Sequence, residues 1–168
     1  FLFLLGSTIS IFTSVNIPKA LGEWRAFYVE PIIVAVIIAT TVRTRADWHK
    51  IALGLIIGGT VTAAVAVYQH YTGWLVPHSF WANRNTYRVT GWYGFPNGLA
   101  LWLAMLMPMA GYLLAAQKNK IIKIISGLYT LLGLAGIIFA KSTAGLLGVA
   151  VAIGVALLAW PKTRWFTI

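Results

Sequence analysis

Cysteine is absent from the 168 residues, which excludes disulfides, thiolate chemistry and cysteine-ligated metals and leaves no trace of the redox compartment. Acids are scarce: three Asp and Glu stand against thirteen Lys and Arg, and no His, Asp and Glu cluster falls at zinc or calcium spacing. Charged residues of either sign make up only 10% of the chain, against 60% hydrophobic residues and a mean hydropathy of +0.82. That is too little polar material to cover a water-soluble globule of this size, so lipid is the solvent for most of the surface.

A formal charge of +10 and a pI of about 10.2 would suggest nucleic acid as the partner of a soluble protein. In a chain this apolar, basic residues gather in short loops, where they set orientation and meet anionic headgroups. The bilayer is therefore the expected partner, and nucleic acid is not. The opening run lacks the basic region of a signal peptide. The chain starts at Phe1 inside an apolar run and stops at Ile168 soon after a helix ends, which reads as the middle of a longer protein.

Apolar runs broken by charge, Pro or Gly divide the sequence into about six transmembrane spans: a partial one at 1–12, then 26–42, 51–71, 95–116, 124–140 and 144–160. The fold class is an all-α polytopic bundle forming a single transmembrane domain. Gly54 and Gly58 have the small-xxx-small spacing that lets helices approach closely. Pro96 suits a first helical turn, and Pro108 should kink the span that contains it. Successive spans alternate sides. Arg43, Arg45, Lys50, Lys118, Lys120, Lys123, Lys162 and Arg164 then share one side, and Lys19, Arg25, Arg84, Arg88 and Lys141 the other. The richer side is cytoplasmic by the positive-inside rule, placing loops 43–50 and 117–123 inside and the long loop 72–94 outside.

The outward face thus collects five cations against Glu23 and Glu30. Arg offers planar bidentate donors and Lys a compact charge, so such a patch can hold a phosphate or pyrophosphate, or simply snorkel to lipid phosphates. Glu30, just before Pro31, is expected in the first turn or two of the second span, where Arg25 or Arg88 could neutralise it or a helix N-terminus could stabilise it. Trp74, Trp81, Tyr87, Trp92 and Tyr93 suit either a sugar-stacking platform or an interfacial aromatic belt. His70 and His78 are candidate acids or bases near neutral pH.

Within the long loop, Arg88-Val-Thr-Gly91-Trp-Tyr-Gly-Phe-Pro96-Asn97, followed by Gly-Leu-Ala100, resembles the Arg-x-x-Gly…Pro-Asn-x-x-Ala signature of the O-antigen ligase and polymerase family. Lys19-Ala-Leu-Gly22-Glu-Trp-Arg25 running into Glu30-Pro31 is similar to that family's approach to an early helix, and Ala140-Lys141-Ser142-Thr143-Ala144-Gly145 to its Ser-Arg-Gly helix start. Thr143 stands where many members carry Arg, which passes that role to Lys141.

The resemblance implies a metal-independent, GT-C-like membrane glycosyltransferase of the bacterial inner membrane with no cofactor. Its donor would be an undecaprenyl-pyrophosphate-linked glycan, and its acceptor lipid A core, another glycan or a protein. Arg88, Arg25, Lys141 and Lys19 would bind the donor pyrophosphate, with Glu30, Gly91, Pro96, Asn97 and Ser142 as motif and structural residues. The catalytic base would lie outside these residues, leaving the fragment inactive on its own. A permease for a small anion is the alternative, since external cations, Glu30 and a Pro108 kink also suit a path through broken helices, and a purely structural membrane subunit is the third reading.

Overall fold

The computed structural model describes residues 2–77, 79–83 and 86–159. His78, Arg84 and the end of the sixth expected span, with Lys162 and Arg164, lie outside the described residues. Among the described residues the chain is all-helical, with seven helices: α1 (Leu2–Phe12), α2 (Ile17–Thr41), α3 (Arg45–Thr72), the single turn α4 (Ser79–Ala82), α5 (Pro96–Ala116), α6 (Lys120–Phe139) and α7 (Thr143–Ala159). Helices α2, α3, α5 and α6 are long and apolar enough to cross a membrane, and α1 and α7 are shorter apolar helices. This is the architecture of a multi-pass membrane protein.

The chain forms two compact units, residues 1–48 and 49–168. In the first, α1 packs on α2 through the Trp24 indole N–H, which donates to Thr8 Oγ1 at 3.2 Å, and through Phe3 against Tyr28. The segment expected as a polar connection before the second span is helical instead. Asn16 accepts from the Lys19 amide at 3.1 Å as N-cap and Pro18 occupies the first turn, so Lys19, Glu23 and Arg25 ride on α2 and Glu30 lies well inside it. Residues 25–29 are wound as a π turn, with the Glu30 amide bonded to the Arg25 carbonyl. Pro31 explains the turn: its ring would strike the carbonyl four residues back, and one wider turn makes room.

Two further expected spans, those placed at 51 and 124, likewise begin too late, for one reason: charged first turns belong to the helices. Thr44 and Asp47 form a reciprocal cap for α3, the Thr44 amide donating to Asp47 Oδ2 at 3.1 Å and the Asp47 amide to Thr44 Oγ1 at 3.2 Å. Asn119 caps α6 by accepting from the Ile121 amide at 2.9 Å.

The second unit holds the core. Ile56, Ala63 and Ala66 of α3, Leu99, Leu103 and Leu106 of α5, and Tyr129 and Ile137 of α6 are buried together. Leu101, Met105, Ile124, Leu131, Leu147 and Val151 face outward, the inside-out pattern a lipid solvent permits. The close helix approach does not use Gly54 and Gly58, which have nothing within 4 Å of a Cβ. It uses Gly59, where a Cβ would sit 2.7 Å from Tyr129, and Gly145 of α7, where one would sit 2.9 Å from Ala100 of α5. Tyr129 in turn donates its hydroxyl to the Leu103 carbonyl at 2.5 Å, in the turn that precedes Pro108. Pro108 has no N–H to give the Ala104 carbonyl four residues back, so this stretch loses one helical bond, and in lipid no water substitutes.

Candidate functional site

At one end of the second unit, the end of α3, the start of α5 and the α6–α7 turn converge on the loop between α4 and α5. Gln69, in the last turns of α3, is fully buried, and its side-chain carbonyl accepts from the amides of Thr90 at 2.7 Å and Gly91 at 2.9 Å. The Gln69 backbone carbonyl takes the Gly73 amide at 2.8 Å and the Tyr87 hydroxyl. Gln69 therefore pins the loop at two places, by its side-chain carbonyl at Thr90 and Gly91 and by its backbone carbonyl at Tyr87. Gly91 is needed here twice over, since its φ of +58° is left-handed and a Cβ would meet Leu99 at 2.9 Å. Burial pushes the Tyr87 phenol above its ordinary value, against a smaller opposing pull from the Gly73 amide, and burial raises Tyr93 as well. Both phenols therefore stay neutral at physiological pH.

This anchoring sets Arg88, the residue before the pinned segment. Its Nε donates to the Ala140 carbonyl at 2.6 Å and its Nη2 to Asn97 Oδ1 at 2.8 Å, while the guanidinium lies 5.2 Å from the Trp81 ring centroid. Val89 adds a backbone bond to the Phe139 carbonyl at 3.3 Å. Both Arg88 acceptors are neutral, so the positive charge is positioned without being cancelled. Of five guanidinium donors, those on Nη1 and the second on Nη2 have no partner among the described residues.

Lys141 follows Ala140 directly, is exposed, and takes the left-handed conformation at φ +48° in the short turn between α6 and α7. Ser142 is buried and caps α7, its Oγ accepting from the Gly145 amide at 3.3 Å. The structure thus brings together Arg88, Gly91, Pro96, Asn97, Lys141 and Ser142 of the expected set. Ser142 acts as a cap within this group. His70 stacks face to face on Phe139 at 3.7 Å between ring centroids, which makes it a packing element of this end.

Lys19, Arg25 and Glu30 belong to the first unit. Arg25 Nε lies 3.1 Å from Glu30 Oε1, so Arg25 is the partner that neutralises Glu30. Residues five apart would point about 140° apart around a regular α-helix, and the π turn swings them together. Lys19 is exposed on the first turns of α2. Sequence reasoning missed Gln69, whose signal was a lone amide inside an apolar span, where an unsatisfied polar group is expensive. Comparison with family models, curated proteins and solved structures returned no match for this chain.

Proposed function

We propose that the chain is the membrane region of a glycosyltransferase of the O-antigen ligase and polymerase type, taking a polyprenyl-pyrophosphate-linked glycan at the outer face of the membrane. One observation carries the reading: Arg88 and Asn97 of one motif and the turn bearing Lys141, distant from them in sequence, share one end of the helix bundle and are joined by two hydrogen bonds of Arg88. A guanidinium held by neutral acceptors with free donors, beside an exposed lysine, suits a pyrophosphate. In the reaction, an acceptor hydroxyl oxygen attacks the anomeric carbon as the bond to the pyrophosphate oxygen breaks. The electron pair leaves with the pyrophosphate, whose growing charge Arg88 and Lys141 stabilise, and a base takes the hydroxyl proton. Trp92, exposed on the same loop, is available to stack against a sugar face.

The test is Arg88→Ala and Arg88→Lys in the full-length protein in its host. Arg88→Ala should abolish surface glycan with the protein still inserted in the membrane. Arg88→Lys should recover little, because an ammonium cannot hold the Ala140 carbonyl and Asn97 and still offer a planar fork. Normal glycan on Arg88→Ala overturns the reading, and anion uptake into proteoliposomes by the wild type would then favour the permease.

A further inference from the structure

The opposite end of the second unit carries a different feature. A hollow of about 720 Å³ opens between α5, α6 and α7, floored by small residues, Gly111 and Ala115 on α5 and Ala152 and Ala156 on α7, with Thr130 and Leu134 of α6 along its side. On α5 its lining runs from Met107 to Ala116, a rise of about 14 Å, which is one leaflet of a bilayer core about 30 Å thick. It lies at the end of α5 remote from Asn97, so it is separate from the Arg88 site.

The lining ends on α5 at its last residue, Ala116, two residues before the exposed Lys118, and the exposed Lys120 opens α6 just beyond. Lys123, Thr130 and Leu134 occur at intervals of seven and four, which stack them on one stripe of α6, so the exposed Lys123 stands in line with the wall of the hollow. These lysines are oddly placed for the helix: no acid occupies the first turn of α6, although a helix N-terminus favours negative charge. No acid follows residue 48, and Asp47, the one acid on α3, is held in that helix's own cap by the Thr44 amide and hydroxyl.

We propose that this hollow seats one acyl chain of an anionic phospholipid, with the lipid phosphate met by Lys118, Lys120 and Lys123. The charge deficit at the turn and the length of the hollow select the same occupant. A zwitterionic lipid matches the hollow but leaves the lysines and the α6 N-terminus without a net counter-charge. The assignment does not rest on the glycosyltransferase reading.

The experiment is native mass spectrometry of the full chain, delipidated in neutral detergent, with added phosphatidylglycerol or phosphatidylcholine of matched acyl chains. Phosphatidylglycerol should be retained at least about fivefold better, the contribution of one lysine beside an anionic surface. A triple variant, Lys118→Gln, Lys120→Gln and Lys123→Gln, should hold both lipids alike. Gly111→Leu should lower retention of both; a Cβ at Gly111 meets nothing within 4 Å, so the new side chain fills the hollow without disturbing the bundle. Equal retention by the wild type, a preference surviving in the triple variant, or full retention by Gly111→Leu would each overturn the proposal.

Discussion

The two ends of the second unit both present cations, but they hold them in opposite ways. At the Arg88 end the charge is fixed by two hydrogen bonds to neutral groups and by a loop pinned on a buried amide. At the α5–α6 turn three exposed lysines stand on flexible stems at a helix N-terminus with no acid in its first turn. A fixed guanidinium with spare donors can recognise one geometry, whereas mobile ammonium groups recognise charge of almost any shape. The first arrangement suits a reacting ligand and the second a lipid headgroup.

The largest effect expected from breaking this contrast is at Gln69. Gln69→Leu strips the acceptor from two buried amides, those of Thr90 and Gly91. Each orphaned donor costs about 1–3 kcal/mol, and removing the buried Gln69 Nε2, itself without a partner among the described residues, returns about one such cost, so the variant should lose about 1–3 kcal/mol in thermal unfolding and expose the 86–95 loop to added protease. A melting curve matching the wild type would mean that the loop, and Arg88 with it, is held by something else.

Gln69 also shows where the sequence was legible and where it was not. The start and end of α5 could be read directly, because Pro96 marks a first helical turn and Lys118 follows the last apolar residue. The starts of α2, α3 and α6 could not: charges served as loop markers, yet long basic side chains on a first turn snorkel outward without ending the helix. The glycine contact was displaced from Gly58 to Gly59, a single residue but about 100° around the helix, and only the packing reveals which face turns inward. At the site, Arg88 and Asn97 were visible as a motif. The Ala140 carbonyl was not, because a backbone acceptor has no side-chain signature, and neither was the left-handed turn at Lys141.

That turn offers a sharper test, because stability and function should move in opposite directions. A non-glycine residue in the left-handed region costs about 1–2 kcal/mol, partly offset because glycine loses about 0.5–1 kcal/mol more on ordering. Lys141→Gly should therefore leave thermal stability unchanged or raise it by up to about 1.5 kcal/mol. Glycan assembly by the full-length variant should fall sharply, since the cation beside Arg88 is gone. A variant that is more stable and fully active would remove Lys141 from the site while leaving Arg88 in it.

The smallest expected effect tests the other end. Lys120 is the first residue of α6, where the helix dipole disfavours a cation. Lys120→Glu should stabilise the protein by about 0.3–1 kcal/mol in neutral detergent, measured by thermal unfolding. In phosphatidylglycerol vesicles the gain should vanish or reverse, because the lipid phosphate already supplies the negative charge and the new carboxylate repels it. The same gain in both media would show that no lipid anion occupies the turn, and the contrast between a cation built to hold a reacting group and cations left to meet a membrane would lose its second half.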